Sequence, residues 1–206
     1  MTQMLYQGHG SYRLTADDGT CVYVDPFAGE GYDTPADLVL VTHEHFDHNV
    51  VDKMPHADGC EVIRAADLHP APNSYLTLES HGIRVTGVQA CNKNHPIDEC
   101  VGMVIEIDGL SFYAAGDTSM TDDMRSGKLS ALGLDYAVFP GDGFYNMDVD
   151  EASACAKLVD AHHSIPVHLV PIDDPDDPSQ LFDAAKAAAF TACGKIVVEP
   201  GESIEL

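Results

Sequence analysis

Basic residues are scarce in this chain. Its 206 residues include 34 aspartates and glutamates but only 10 lysines and arginines, which gives a net charge of −24 at pH 7. Such a charge repels phosphate backbones and anionic lipid headgroups. We therefore expect neither nucleic acid nor a membrane surface as a partner.

Long apolar segments and closely spaced cysteines are also missing. No stretch approaches the roughly 18 apolar residues of a membrane span, and Met1 to Tyr6 lack the pattern of a signal peptide. The six cysteines form no CxxC pair and no dense disulfide framework. We therefore expect a soluble cytoplasmic protein with reduced thiols, and its length predicts a single domain over residues 1–206.

Short apolar runs predict the strands. They occupy residues 22–24, 38–41, 82–88, 101–107, 110–115, 136–139 and 196–198. Two segments with apolar residues at helical spacing, 150–162 and 178–193, predict helices in the second half of the chain. Asp108 and Gly109 predict a tight hairpin turn near the middle. Strand-rich stretches on both sides of that turn predict two similar halves, packed sheet on sheet with helices outside.

The densest chemical signal is the segment from Thr42 to His48, which follows the apolar run 38–41. It contains His43, His45, Asp47 and His48. A loop that leaves a strand end can turn such side chains toward one point. Imidazole nitrogens and a carboxylate oxygen suit zinc, with iron and manganese as alternatives. The zinc-protease motif does not fit, because its second histidine would stand where the chain has Asp47.

Three further candidate ligands follow apolar strands later in the chain: His95, Asp117 and His168. A glycine before Asp117 permits a close approach of the backbone. The remaining histidines have a more ordinary interpretation as surface residues or hydrogen-bonded core residues. These are His56, His69, His81, His162 and His163.

These ligand segments together resemble the metallo-β-lactamase fold superfamily of metal-dependent hydrolases. Its HxHxDH motif corresponds to His43, His45, Asp47 and His48, and the later ligands follow in the family's order. The resemblance implies an α/β fold, a four-layer αββα sandwich of two mixed β-sheets flanked by helices. It also implies two divalent cations. His43, His45 and His95 would hold the first and Asp47, His48 and His168 the second, with Asp117 bridging both.

Secondary motifs are similar to those of small hydrolases of the L-ascorbate-6-phosphate lactonase type. They are Gly8-His9-Gly10-Ser11, Val24-Asp25-Pro26, Gly116-Asp117-Thr118 and Glu199 to Ile204. This likeness implies that His9 lies near the metal cleft, where it would contact substrate, donate a proton or serve only in a structural turn. Asp25 is expected to orient a ligand histidine or a loop amide. True β-lactamases carry a cysteine where this chain has Asp117, so antibiotic cleavage is not expected.

The expected activity is hydrolysis of a small ester, lactone or phosphorylated metabolite. A metal-bridging hydroxide would attack, while Asp47 would orient it and accept its proton. Zinc is the expected metal, with manganese, iron or nickel as alternatives. A phosphodiesterase or nuclease is the alternative within the same class, and a non-catalytic metal-binding sensor is the alternative outside it. The sequence leaves the oligomeric state open.

Overall fold

Twelve strands in two sheets form the frame of the computed structural model, which describes all 206 residues. The first sheet contains β1 (Gln3–Gly8), β2 (Ser11–Thr15), β3 (Cys21–Val24), β4 (Ala36–Val41), β5 (His56–Arg64) and β12 (Ser203–Glu205). The second contains β6 (Thr77–Ser80), β7 (Ile83–Gln89), β8 (Val101–Ile107), β9 (Leu110–Ala114), β10 (Tyr136–Pro140) and β11 (His163–Val167).

The two sheets share one pattern of pairing. The first has the order β12-β1-β2-β3-β4-β5 and the second the order β11-β10-β9-β8-β7-β6. Three neighbouring pairs in each sheet are antiparallel and two are parallel. The predicted pair of mixed sheets is therefore confirmed. Asp108 and Gly109 form the predicted hairpin, both with positive φ, but the two halves divide between β5 and β6 rather than at this turn.

The main core lies between the sheets. Alternate residues of the strands point inward, so that Leu38 and Leu40 of β4 face Met103 and Ile105 of β8 within one cluster of 24 buried residues. Tyr12 and Phe112 meet across this layer with ring centroids 5.6 Å apart. This burial holds the two sheets in one register, which fixes the positions of the loops at their edges.

Four short α-helices accompany the sheets: α1 (Ala65–Leu68), α2 (Asp122–Arg125), α3 (Val149–Val159) and α4 (Ala184–Ala189). Helices α2, α3 and α4 lie on the outer face of the second sheet, where Met124, Cys155 and Phe190 join a second buried cluster. Loop residues such as Met54 and Tyr32 cover the outer face of the first sheet. None of the helices combines the length and the apolar character that a bilayer crossing requires.

Two local predictions were wrong. The predicted helix over residues 178–193 is broken into a 3₁₀ turn, Pro178–Gln180, and α4, because Asp183 caps a new helix start by accepting the amides of Ala185 and Lys186. Residues 196–198 form no strand. The predicted helix over residues 150–162 is confirmed as α3, which begins behind the Asp148 cap and ends three residues early, at Val159.

The loops with the candidate ligands all lie at one edge of the sandwich. In the second sheet β9, β10 and β11 run parallel, so their carboxyl ends share one edge, and the segment after β4 meets this edge where His48 contacts Asp117. The β1–β2 turn joins this edge, because the His168 amide donates to the His9 carbonyl. The topology therefore collects distant segments around one point.

Candidate metal centre

Three imidazoles form the first group at this edge. The ring centroids of His43, His45 and His95 lie 4.6, 4.7 and 4.9 Å apart, close to an equilateral triangle. One nitrogen from each ring lies within 4.8 Å of the others. His43 and His95 are each 1% exposed, while His45 lies open at the mouth of the site. Three nitrogens with one open side suit a divalent cation.

A second group lies beside the first. It contains His9, Asp47, His48 and His168, whose ligand atoms also lie within 4.8 Å of one another. The rings of His48 and His168 stack with centroids 5.5 Å apart, and His9 lies against His168 at 3.6 Å. The structure thus brings together Asp47, His48 and His168 as predicted. It also adds the His9 ring to this group.

Asp117 lies between the two groups. One of its oxygens is 3.3 Å from His95 Nε2 and from His168 Nε2, and the other is 3.4 Å from His48 Nε2. His95 belongs to the first group, whereas His48 and His168 belong to the second. A carboxylate that reaches both groups is placed as a bridging ligand would be.

The nitrogens that face the centre have the character of metal ligands. The Nε2 atoms of His43, His48 and His95 are buried and make no hydrogen bond. An unpaired buried polar atom costs roughly 1–3 kcal/mol of folding free energy, so three in one place are unusual. Divalent cations would pair all three, and the residues present therefore fit such a group.

Each of four ligand rings has an outer partner at Nδ1. His95 Nδ1 lies 2.8 Å from Asn92 Oδ1, and His43 Nδ1 lies 3.0 Å from Thr42 Oγ1. His48 Nδ1 lies 3.0 Å from Asp25 Oδ2, which agrees with the role predicted for Asp25. Such partners select the tautomer and aim Nε2 toward a cation. The same Asp25 carboxylate accepts hydrogen bonds from the Thr42 amide and hydroxyl.

Asp142 is the outer partner that sequence reasoning missed. Its Oδ2 lies 3.1 Å from His168 Nδ1 and accepts a 2.8 Å hydrogen bond from Asn146 Nδ2. Its Oδ1 accepts the amides of Phe144 and Tyr145 at 2.6 and 2.7 Å. The available signal was its position, because Asp142 follows strand β10 as Asp117 follows β9.

The backbone around the site is held in an unusual conformation. His9, Asp25 and His168 all have φ near +50°, a region that side-chain-bearing residues rarely occupy. Gly10 completes this crowded turn, since a Cβ there would lie 2.7 Å from His48 Cε1. Strain and close approach thus coincide at the residues that aim the ligands.

Opposed charges shift the pKa values of the central groups. Burial would raise the pKa of Asp117, but the charges of His168 and His48 hold it well below its usual range. Burial would lower the pKa of His48, but Asp117 and Asp25 raise it well above normal. Burial would also lower the pKa of His168, but Asp117 and Asp142 raise it to about 9. In the cation-free protein, protons therefore supply the positive charge at the centre.

His9 and Asp47 form a coupled pair near this centre. Burial and the charge of His168 lower the pKa of His9 to about 4, so the ring is neutral at pH 7. Burial opposes ionisation of Asp47, but the hydrogen bond with His9 and the charge of His48 lower its pKa below the usual range. His9 Nε2 lies 3.1 Å from Asp47 Oδ2. The neutral ring donates from Nε2 to this carboxylate, while its buried Nδ1 makes no hydrogen bond.

The other histidines lie outside both groups, as predicted. His69 is buried, its Nδ1 lies 2.8 Å from the Ser74 carbonyl, and its ring stacks on Tyr75 at 4.4 Å. A carbonyl oxygen can only accept, so His69 Nδ1 carries the hydrogen.

Similarity to known proteins agrees with this geometry. Residues 3–168 match the family described as the beta-lactamase superfamily domain. The chain belongs to this superfamily. A UPF0173 metal-dependent hydrolase of Methanoregula boonei is 32% identical over 98% of this chain and 97% of its own. Another, from Nitratidesulfovibrio vulgaris, is 31% identical over all of this chain and 95% of its own.

A solved structure agrees on the fold. A metal-dependent hydrolase from Parabacteroides distasonis superimposes with a TM-score of 0.74 at 24% identity, over 97% of this chain and 93% of the other. The chain is a metal-dependent hydrolase of the UPF0173 family, with a candidate His and Asp cluster for its metal. These likenesses do not extend to the lactonase-type specificity suggested by the secondary motifs.

The raised pKa of His168 predicts a pH dependence of metal binding. With a pKa of about 9 the ring is protonated at pH 7, and a bound cation requires it neutral. Binding must therefore release a proton, so affinity rises with pH until pH approaches 9. We expect the Kd for zinc to fall about tenfold from pH 7 to pH 8 for each proton released.

Calorimetry in buffers of different ionisation enthalpy measures this proton release. The variant His56→Gln is the control, because His56 is exposed and belongs to neither group. It should release as many protons as the natural protein. Equal zinc affinity at the two pH values, with no protons released, would contradict the assignment.

The position of Asp142 predicts an effect on metal retention. Asp142→Asn keeps an oxygen for the loop amides but removes the carboxylate charge behind His168. We expect zinc affinity in the second group to fall about 10- to 100-fold, as for other outer partners of ligand histidines. Elemental analysis after dialysis against a competing chelator measures the loss. Asp58→Asn, at an exposed carboxylate on β5, should retain the natural metal content.

Proposed function

We propose that residues 1–206 form one metallo-hydrolase domain that cleaves a small ester, lactone or phosphorylated metabolite with two divalent cations. The observation that carries this proposal is the position of Asp117 between two groups of ligands with unpaired nitrogens. Strand β12, near the end of the sequence, pairs with β1 and supports the single-domain view. Zinc suits the ligand set best, with manganese, iron and nickel as alternatives.

The cations would be held by two sets of residues around a shared carboxylate. His43, His45 and His95 would bind one cation, and Asp47, His48 and His168 the other, with Asp117 in contact with both. When bound, such a pair supplies an activated water and stabilises the negative charge that develops on the attacked group. The protein's own residues supply the orientation and the proton transfers.

Asp47 is the candidate proton acceptor. Its side chain is 15% exposed, and it lines a pocket that opens onto Asp117 and His95. Its lowered pKa keeps the carboxylate ionised at pH 7. An ionised carboxylate at the boundary between the cluster and the pocket can receive the proton of an attacking water at Oδ2.

His9 is hydrogen-bonded to Asp47 on the side away from the pocket. The ring is 1% exposed and does not line this pocket, which argues against direct contact with substrate. Its Nε2 donates to Asp47 Oδ2 and fixes the direction of the carboxylate. We therefore place His9 as a positioning residue.

The direct test is hydrolysis by protein saturated with zinc or manganese. A panel of p-nitrophenyl acetate and γ-butyrolactone is compared with bis(p-nitrophenyl) phosphate, with and without a chelator. We expect chelator-sensitive turnover with higher kcat/KM on the ester or lactone. Faster cleavage of the phosphodiester would favour the phosphodiesterase alternative, and a metal-loaded protein inert on all three would favour the sensor.

The role of Asp47 predicts a separation of turnover from metal content. In Asp47→Asn, His48, His168 and Asp117 still provide ligand atoms for the second cation, but the carboxylate assigned to take the proton is lost. We expect kcat on the best panel substrate to fall at least about 100-fold, the usual scale for a lost general base. Zinc content should fall far less.

Asp52→Asn is the matched control, because Asp52 is an exposed carboxylate five positions further along the same segment. It should change neither kcat nor zinc content. An Asp47→Asn protein with full metal and natural turnover would remove Asp47 from the reaction.

A further inference from the structure

Two exposed aromatic side chains flank the candidate metal centre. Phe46 is 62% exposed and Tyr145 is 46% exposed, although large apolar rings are usually buried. Both line one pocket of about 400 Å³, which also contains His95 and Asp117. When exposed apolar groups converge on one concave surface, the surface is more often a binding site than a chance arrangement of side chains.

Both walls of this pocket are already fixed. The Phe46 ring packs edge-on against Phe27, with centroids 5.6 Å apart at 89°, and Phe27 itself is buried. On the other side, the Tyr145 amide donates to Asp142 Oδ1 at 2.7 Å and its carbonyl accepts from Asn94 Nδ2 at 2.9 Å. The Phe46 ring and the backbone that carries Tyr145 are therefore held in place without support from a ligand.

The charge of the pocket limits what can enter it. No lysine or arginine lines it, and Asp173 lies exposed at its wall beside the buried Ile172. An anionic group would meet this carboxylate and no side chain to pair with it. An uncharged apolar group would cover Phe46, Tyr145 and Ile172 at no electrostatic cost.

We propose that this pocket, between Phe46 and Tyr145, binds an uncharged alkyl or aryl group of the substrate next to the scissile bond. The inference rests on the proposed function and narrows its substrate class to neutral esters or lactones with an apolar substituent. Phe46 and Tyr145 are then residues that determine specificity. Asp173 disfavours phosphorylated and carboxylated substrates.

The first measurement is the dependence of kcat/KM on the length of the alkyl chain of the substrate. Zinc-loaded protein is given methyl acetate, methyl butanoate and methyl hexanoate, and pentyl acetate places the same number of added methylenes on the alcohol side. We expect kcat/KM to rise about threefold for each added methylene on one of the two sides. Phe46→Ala and Tyr145→Ala should both flatten this rise with zinc content unchanged, while Tyr145→Phe should keep it.

Phe144→Ala is the matched control. Phe144 is 61% exposed and contacts Tyr145 at 4.7 Å, but it does not line the pocket. Loss of this ring should leave the dependence on chain length intact. If Phe144→Ala flattens it as much as Phe46→Ala does, the pocket is not the binding site and the inference is overturned.

The second measurement is the effect of a negative charge on the substrate. The monomethyl ester of hexanedioic acid differs from methyl hexanoate by a terminal carboxylate, and we expect about tenfold lower kcat/KM. Asp173→Asn should recover part of this loss. Equal rates on the two esters would overturn the predicted selectivity against anions.

Direct binding separates this inference from the proposed function. Binding of 2-octanone and 2-butanone, which contain no scissile ester, is followed by NMR with the zinc-loaded protein and with Phe46→Ala. Tighter binding of 2-octanone that is lost in Phe46→Ala supports the pocket even if no ester is hydrolysed. Equal binding of the two ketones, or no effect of Phe46→Ala, overturns the inference even in an active esterase.

Discussion

A buried carboxylate with positive charge on every side is the constraint on which the centre depends. Asp117 is 4% exposed, and an unpaired charge at such a depth would cost several kcal/mol of folding free energy. Imidazole nitrogens at 3.3–3.4 Å offset that cost only when they carry protons or when cations replace those protons. A metal ion that binds at this candidate centre would therefore displace protons from the histidines.

The outer partners follow from the same constraint. A protonated or metal-bound imidazole needs an acceptor at its second nitrogen, and Asp25 and Asp142 supply one to His48 and His168. Lys186 then anchors the base of the Asp142 loop, because its Nζ donates to the carbonyls of Asp142 and Leu169 at 2.7 and 2.8 Å. The site thus extends from Asp117 through three layers of contacts to helix α4.

The sequence predicted the candidate ligands more completely than the strands that position them. The cluster from His43 to His48 is local, so its chemistry is visible in consecutive letters, and His95, Asp117 and His168 follow strands whose apolar runs are clear. Strands β1, β2, β5, β6 and β12 were missed, because polar residues interrupt their apolar pattern and tertiary pairing decides them. Asp142 was missed because contact with His168, 26 residues away, cannot be read from local spacing.

The scarcity of basic residues has a structural counterpart at the site. Several of the ten cationic side chains are committed to the frame: Lys53 donates to the Phe27 carbonyl, Lys195 to the Ala188 carbonyl, and Arg64 pairs with Glu44. None of them lines the pocket between Phe46 and Tyr145. Positive charge at the centre would therefore come from bound cations or from protonated histidines, and it would act on the reacting group rather than on distant anionic parts of a substrate. The aromatic walls of the pocket, rather than charged side chains, would then select the part of the substrate that binds beside the centre.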